Sequence, residues 1–498
     1  MTTLAPTLTL DAAPPRAAAA RPRAAYWLLA LVMALFASGL VGGRHMLDPD
    51  LFWHLRVADR LLADGAGPIV DAISYNSIDR PWTPYSWLAE LMLRDLWDAF
   101  GPAGAPVIAS GCFIAFGLTL ALACEAAATD RETNEINRVA AAVGVIVGLM
   151  FAACVFSFRP VDFSLVLLMT AAALLWRDAR QPTRSVWLVP AIAAICVNVH
   201  LYAIFLPPMA LAYAIKRPTR RHFALFGLTA LGCLTTPMLP GALATSAHYF
   251  AADPMVASGI IVEMLPFWAT PWNWVIWIGL VATAGGLAPN WRRVHWIDAA
   301  AVLLAVWLTC RHVRFAPLLA VVAAPTIAAA LPVASDRLFR RPLLLKALAG
   351  LLIVGVIGAV ADHATRTDRF ESYPATAAAY VDRHVTPTLA GEGRLVNEFN
   401  WGGYLAWRLG EEYQVFVDGR TQLYPAEFWE QTYLGDHASR AAVIAEANAD
   451  VAIVPTSGSW FRESIEQLGW RRVHADATAE VWLPPGGPGS TPAVGGGR

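Results

Sequence analysis

Charge is what this chain has least of. Asp, Glu, Lys and Arg make up 15% of its 498 residues, against 57% hydrophobic. A soluble domain carries about 25% charged residues, so a polytopic membrane protein is the expected class. The net charge of −1 offers none of the basic excess that nucleic-acid binding needs, and no nucleic acid is expected as a partner. Cysteine is scarce too. Cys112, Cys124, Cys154, Cys196, Cys233 and Cys310 all lie in or beside apolar runs. They supply neither a C-x-x-C pair nor a disulfide framework, and they read as small core residues. Around the densest glycine signals no G-x-G-x-x-G occurs, which excludes a dinucleotide fingerprint there.

What is abundant is long apolar runs, with several of the 20 tryptophans at their ends, where amphipathic rings favour the membrane interface. Residues 1–23 are rich in Ala and Pro and read as a disordered cytoplasmic tail. Ala24 to Gly43 is long enough to span a bilayer and lacks a clear cleavage site, so it reads as an uncleaved first helix. Residues 44–103 form a long polar segment, ending in an amphipathic stretch, Trp87–Trp97, suited to the interface. Further spans are expected at Ala105–Ala127, Val139–Ser157, Phe163–Trp176, two within Val186–Ile215, and then Phe223–Leu239, Trp272–Leu287, Ile297–Cys310, Phe315–Val333 and Leu343–Val360. That gives about eleven spans, oriented by basic loops. With the N-terminus in the cytoplasm, the Lys/Arg-rich loops 177–184, 216–222, 291–295 and 336–346 are all cytoplasmic. Loops 44–103, 158–162, the break at 198–202, 240–270 and 311–314 then face outside. The expected location is the cytoplasmic (inner) membrane, with the bilayer as a partner.

Residues 362–498 change in character, with strands expected at Arg394–Asn397, Tyr413–Asp418 and Asp450–Pro455. The fold class is therefore mainly α: a membrane helical bundle over 24–361 carrying a small α/β domain over 362–483, outside the membrane, before a disordered tail at 484–498.

The chemistry concentrates on the outer side. In Asp48-Pro49-Asp50-Leu51-Phe52-Trp53-His54, an ordinary account is available: Asp48 caps a helix, Pro49 occupies its first position, and Asp50 complements its dipole. Such a helix puts Leu51, Leu55, Ala58 and Leu62 on an apolar face. It also sets Asp50 and His54 four apart on one face, a carboxylate and an imidazole suited to proton transfer or metal binding. Arg159, with Asp162 close by, interrupts an apolar hairpin. Asn198 and His200 break a hydrophobic run, Glu263 sits among apolar neighbours, and Arg311, His312 and Arg314 punctuate a connection between spans. Singly, each has a bland explanation as a snorkelling or satisfied polar residue. Together on one side they suit an anionic, phosphate-bearing substrate with a carboxylate placed to remove a proton. In the C-terminal region, Gly402-Gly403 suggests a tight turn into a helix, and Asp418-Gly419-Arg420 after a strand reads as either a binding loop or a surface ion pair.

Asp48 and Asp50 just after the first span, Asp71 in Val-Asp-Ala-Ile-Ser-Tyr, the stretch Trp82 to Glu90, Arg159-Pro160, Asn198-Val199-His200 and the Trp-Gly-Gly-Tyr…Asp-Gly-Arg pair resemble the GT-C membrane glycosyltransferases that use polyprenyl-phosphate-linked sugars. The Trp-Trp-Asp-Tyr-Gly motif of the oligosaccharyltransferases is absent. The resemblance implies inverting transfer from a polyprenyl-phosphate sugar donor to a glycan, lipid or protein acceptor at the external face. Asp50 or Asp48 would be the general base. His54, Asp71, Arg159, His200, Glu263, Arg311 and Arg314 would bind substrate, with the arginines facing the leaving phosphate. Asp48 and Asp50 also have the oxygen ligands for Mg²⁺ or Mn²⁺. A transporter or flippase, or a polymerase or ligase of lipid-linked surface glycan, would use similar residues. A transport path would reach both faces.

Overall fold

The computed structural model describes residues 16–42, 47–77, 80–130, 132–153, 155–250, 259–271, 273–366 and 368–486. Cys154 and most of both expected tails, 1–15 and 487–498, lie outside the described residues.

The apolar runs are helices. They comprise α1 (Arg16–Gly42), α2 (Pro49–Asp64), α3 (Trp87–Ala127), α4 (Arg138–Ala152), α5 (Pro160–Arg180), α6 (Leu188–Val199), α7 (Leu206–Lys216), α8 (Arg220–Gly232), α9 (Leu239–Phe250), α10 (Asn273–Leu287), α11 (Trp296–Arg311), α12 (Ala316–Ala330) and α13 (Pro342–Thr365). Among the described residues, five helical segments are long and apolar enough to cross a membrane, those in α1, α3, α5 and α13 and Val313–Ala330. This is a membrane protein. α13 is the extreme case: only 6% of its most apolar window is buried, as expected of a helix whose greasy surface meets lipid rather than protein.

Two expectations change. Helix α1 begins at Arg16, inside the expected disordered tail, because the Ala-rich run has strong helix propensity. Within the expected external loop 240–270, residues 239–250 are helical. The interfacial stretch at Trp87 and the following span are, as expected, two helical pieces of α3, separated at Gly101, whose non-helical φ of +62° only glycine adopts without strain.

The chain has two hydrophobic cores. One unites α1, α3–α8 and α10–α12 in the bundle. The other joins the segment after α1 to the C-terminal region, with Leu51, Phe52, Trp53, Leu55 and Trp82 packed among Tyr404, Leu405, Val415, Val417 and Trp429. The first connecting segment is thus built into the C-terminal region rather than lying free on the membrane. Its helix α2 starts as the sequence suggests: Asp48 caps it through Asp50 N–H at 3.0 Å, with Pro49 following. Leu51, Leu55 and Ala58 are buried, but Leu62 is 67% exposed, and Phe52, Val57 and Leu61 complete the buried face instead.

The C-terminal sheet contains β3 (Gly393–Asn397), β4 (Tyr413–Val415), β5 (Val451–Pro455), β6 (Arg471–Ala475) and β7 (Ala479–Leu483) in the order β4-β3-β5-β7-β6, after a two-stranded pair β1 (Ile69–Val70) and β2 (Pro81–Trp82). Strands β4, β3 and β5 are parallel, and β7 and β6 run antiparallel. The last two strands form a hairpin that the sequence reading did not separate from the surrounding turns. Helices α14 (Ala375–His384) and α15 (Phe399–Leu409) belong to this region.

Candidate active site

Most of the polar residues in the connections expected outside meet in one cavity of about 340 Å³. Asp48, Asp50, Trp53 and His54 of the α2 start border it with Arg159, His200, Glu263 and Arg314 from the bundle, and Phe399, Asn400, Gly419 and Thr421 from the C-terminal region.

Arg159 is its centre. Its Nη1 donates to Asp50 Oδ2 at 3.0 Å and its Nη2 to Glu263 Oε2 at 3.0 Å, while Nε lies 3.3 Å from Asp48 Oδ2. Such a planar fork satisfies several carboxylates at once. The guanidinium is aimed by a tight bend between α4 and α5. Buried Asp162, in the first turn of α5, accepts the N–H groups of Ser157 (3.1 Å) and Phe158 (2.7 Å). Phe158 is held at a φ of +60°, which costs a bulky residue about 1–3 kcal/mol and marks a conformation imposed by its surroundings.

The carboxylates are not equivalent. Asp48 uses one oxygen to cap α2 and its side chain is 15% exposed, whereas the Asp50 side chain is 32% exposed to the cavity. Burial and the neighbouring Asp48 charge push Asp50 up to about 6, against the pull of Arg159 and the Trp53 indole. Glu263 goes the other way, to about 2: Arg159 at 3.0 Å and Arg314 at 3.8 Å outweigh its burial. His54 does not pair with Asp50. Its Nδ1 meets Glu90 Oε1 at 3.1 Å, and burial holds its pKa well below the usual imidazole range, so it is a neutral group. His200 accepts from Tyr202 N–H at 3.2 Å, and Asn198 is satisfied by Trp87, Ala194 and Thr235.

Two expected substrate contacts lie elsewhere. Asp71 is 1% exposed and ion-pairs with Arg420, which is itself bound by Asp418. This buried cluster ties the first segment to the C-terminal region, so the Asp418–Arg420 pair is internal rather than a surface pair, while Gly419 and Thr421 of the same loop border the cavity. Arg311 ends α11 exposed, 6.0 Å from the centre of the Trp307 ring, and does not border the cavity. Gly402 and Gly403 sit inside α15 rather than in a turn, where closeness requires them. A Cβ on Gly402 would lie 1.8 Å from Val417 O, and one on Gly403 3.0 Å from Pro49 O. A Cβ on Gly419 would reach 2.4 Å from Asp50 Oδ1. The two glycine motifs are thus the seat of α2.

As a divalent-metal site, the arrangement does not fit. Mg²⁺ and Mn²⁺ want a full shell of oxygens, but Asp48 and Asp50 already face the positive charge of Arg159. Among the described residues no group of three His, Cys, Asp or Glu is disposed to hold an ion. Thr421 and Tyr202 were not singled out in the sequence, and Ser86 and Glu90 entered only as part of the stretch Trp82 to Glu90. Thr421 directly follows Asp418-Gly419-Arg420, and Ser86 precedes α3, which are the signals that could have marked them.

No protein-family model matches the sequence, and no curated protein matches it either. Solved structures do. The archaeal oligosaccharyltransferase AglB from Archaeoglobus fulgidus, in complex with an inhibitory peptide and a dolichol-phosphate, superposes with a TM-score of 0.55 at 12% identity, over 86% of this chain and 69% of that one. A second structure of that enzyme, tethered to an acceptor peptide, gives 0.50 at 11% identity over the same shares. The fold is GT-C-like. ArnT from Cupriavidus metallidurans bound to undecaprenyl phosphate matches with a TM-score of 0.46 at 13% identity, covering 92% of this chain and 97% of that one.

Proposed function

We propose that this GT-C-like protein is a membrane glycosyltransferase that transfers a sugar from a polyprenyl-phosphate donor to an acceptor hydroxyl at the external face, with inversion. The observation that carries the reading is the single cavity in which a half-open carboxylate, Asp50, faces Arg159 beside Arg314. The likeness of the fold to AglB, whose structure holds a dolichol-phosphate, supports it.

Asp50 is the base. A pKa near 6 leaves it ionised at neutral pH yet basic enough to accept a proton as the acceptor oxygen attacks. The new bond forms at the anomeric carbon, the bond from that carbon to the phosphate oxygen breaks, and the electron pair leaves with the polyprenyl phosphate. Protonating Asp50 removes one of the three negative charges on Arg159, whose N–H groups then turn to the departing phosphate. No step runs through a metal.

An apolar cavity of about 390 Å³ between α5, α7, α11 and α12, bordered by Leu168, Ala172, Phe205, Met209 and Leu308, suits the isoprenoid tail. It adjoins the site: Phe205 stacks edge-on against Tyr202, which borders the polar cavity, with ring centres 5.6 Å apart. The test is transfer from radiolabelled undecaprenyl-phosphate-linked sugars by the purified protein, with membrane extracts as acceptors. Product formation with release of undecaprenyl phosphate is expected. Failure to bind undecaprenyl phosphate at all would refute the reading.

A further inference from the structure

Two hydroxyls bordering the active cavity have no work in the chemistry above. Ser86 is 1% exposed and Thr421 is 2% exposed, and both border the cavity. Neither Ser86 Oγ nor Thr421 Oγ1 has a hydrogen-bond partner among the described residues. Buried hydroxyls are rarely left unpaired, because losing water without a replacement partner is unfavourable. Two on one cavity point to a ligand that supplies the missing bonds.

Their surroundings say what kind. Arg159, Glu263, Arg314 and His200 come from the bundle and give the cavity its charge. Ser86 and Thr421 come from other elements, the start of α3 and the C-terminal region, and share the cavity lining with Phe399, Asn400 and His54. Apart from Asp48 and Asp50, the described residues of these elements put no carboxylate, lysine or arginine on the cavity; they offer hydroxyls, an amide, an imidazole and aromatic rings, including the Trp53 ring laid against His54 with centres 3.5 Å apart. A neutral, hydroxyl-rich ring suits this lining, and an anion does not. Thr421 lies two residues beyond Gly419, the residue that abuts Asp50 Oδ1, so a ring held there sits beside the base.

We propose that Ser86 and Thr421 form a saccharide-binding wall that holds a neutral sugar ring by its hydroxyls next to Asp50. The inference rests on the glycosyltransferase reading, and the ring is either the sugar of the donor or that of the acceptor. The two hydroxyls are specificity-determining groups and take no proton in the reaction.

The test uses the full chain in lipid nanodiscs, as wild type, Thr421→Val and Ser86→Ala. Three probes are measured: undecaprenyl phosphate alone, undecaprenyl-phosphate-linked hexose and pentose, and a panel of methyl hexosides and pentosides by saturation-transfer NMR with undecaprenyl phosphate present. Each substitution is expected to weaken sugar binding about tenfold, the effect of one lost hydrogen bond. Binding of undecaprenyl phosphate alone should stay unchanged, and Tm should hold or rise, since an unpaired buried hydroxyl is being removed. Weakening confined to the sugar-bearing carrier assigns the wall to the donor, and weakening confined to the glycosides assigns it to the acceptor. The proposal is overturned if both variants bind both sugar probes like wild type, if wild type binds neither sugar probe, or if the variants lose Tm and all three ligands together. If wild type takes glycosides without binding undecaprenyl phosphate, the glycosyltransferase reading fails while the wall stands.

Discussion

At the scale of single residues, the account turns on how one guanidinium divides its attention among three carboxylates. Asp50 is raised to about 6 and Glu263 lowered to about 2, which gives them opposite behaviour. As base, Asp50 must be ionised, so the transfer rate should fall about tenfold per pH unit below about pH 6 and level off above it. A pH–rate profile checks this, and Asp50→Glu should shift the limb. Glu263 contributes stability because its folded pKa lies below its unfolded one. That contribution is fully present above about pH 4.5 and is lost as the pH drops towards 2. With its side chain 31% exposed, the full linkage value must be discounted for solvent screening. Glu263→Gln should therefore cost about 1–2 kcal/mol at pH 7, measured by thermal unfolding, with the difference from wild type shrinking as the pH is lowered through 4 to 3. Most of this site was legible. Arg159, His200, Glu263 and Arg314 each interrupt an apolar context where an ionisable group is costly, which is what marked them, whereas Asp48, Asp50 and His54 were marked by their spacing at a helix start just after the first span. Asp71 was marked by the family resemblance alone, and a buried structural ion pair and a substrate contact look alike in sequence. Ser86 and Thr421 were not marked by themselves, because hydroxyls are cheap on any loop, although Ser86 lies in the Trp82 to Glu90 stretch and Thr421 directly follows Asp418-Gly419-Arg420.

At the scale of elements, the capping reading of Asp48-Pro49-Asp50 holds, and it is compatible with the proposed catalytic role of Asp50. Asp48 fixes the start of α2 and thereby fixes the direction in which Asp50 leaves the helix. The helix is then seated from behind by backbone at Gly403 and Gly419, contacts no local pattern announces because their partners lie hundreds of residues away. Gly419→Ala should press a methyl group against Asp50 and Trp53. Displacing a catalytic group by about 1 Å costs on the order of a hundredfold in rate, so we expect kcat to fall by about 10- to 100-fold while undecaprenyl phosphate binding persists. Steady-state kinetics alongside carrier binding separate the two. The helical segments themselves were readable from run length and basic loops. So was the separation of Trp87–Trp97 from the next span, since charged residues in the first three turns mark a surface helix and Gly101 breaks the helical backbone before the apolar run.

At the scale of the whole molecule, two cores meet at one cavity. The bundle supplies charge, and the first segment with the C-terminal sheet supplies the acidic helix and its seat. This explains why so large a share of the chain's few charges gathers in segments that the basic-loop count assigns to one side. If that assignment holds, Gly391→Cys in the C-terminal region should react with a membrane-impermeant maleimide in intact cells, whereas Ser335→Cys near the 336–346 loop should react only after the membrane is opened. Both positions are exposed, so accessibility within the fold does not confound the comparison. The sheet's parallel strands were visible as apolar runs. The β6–β7 hairpin escaped because β6 is mostly exposed and its Arg-Arg-Val-His-Ala pattern has no buried face to read.

The central claim, that Asp50 rather than Asp48 is the base, is tested most directly by sugar transfer from undecaprenyl-phosphate donors by wild type, Asp50→Asn and Asp48→Asn side by side. Asparagine still caps a helix well, so Asp48→Asn should keep α2 in place and retain activity within about tenfold. Loss of a general base costs about 10²- to 10⁴-fold, and we expect that loss in Asp50→Asn, with undecaprenyl phosphate still bound and Tm undiminished because a carboxylate with a raised pKa has been neutralised. Equal turnover by all three proteins, or a larger loss in Asp48→Asn, would contradict the account.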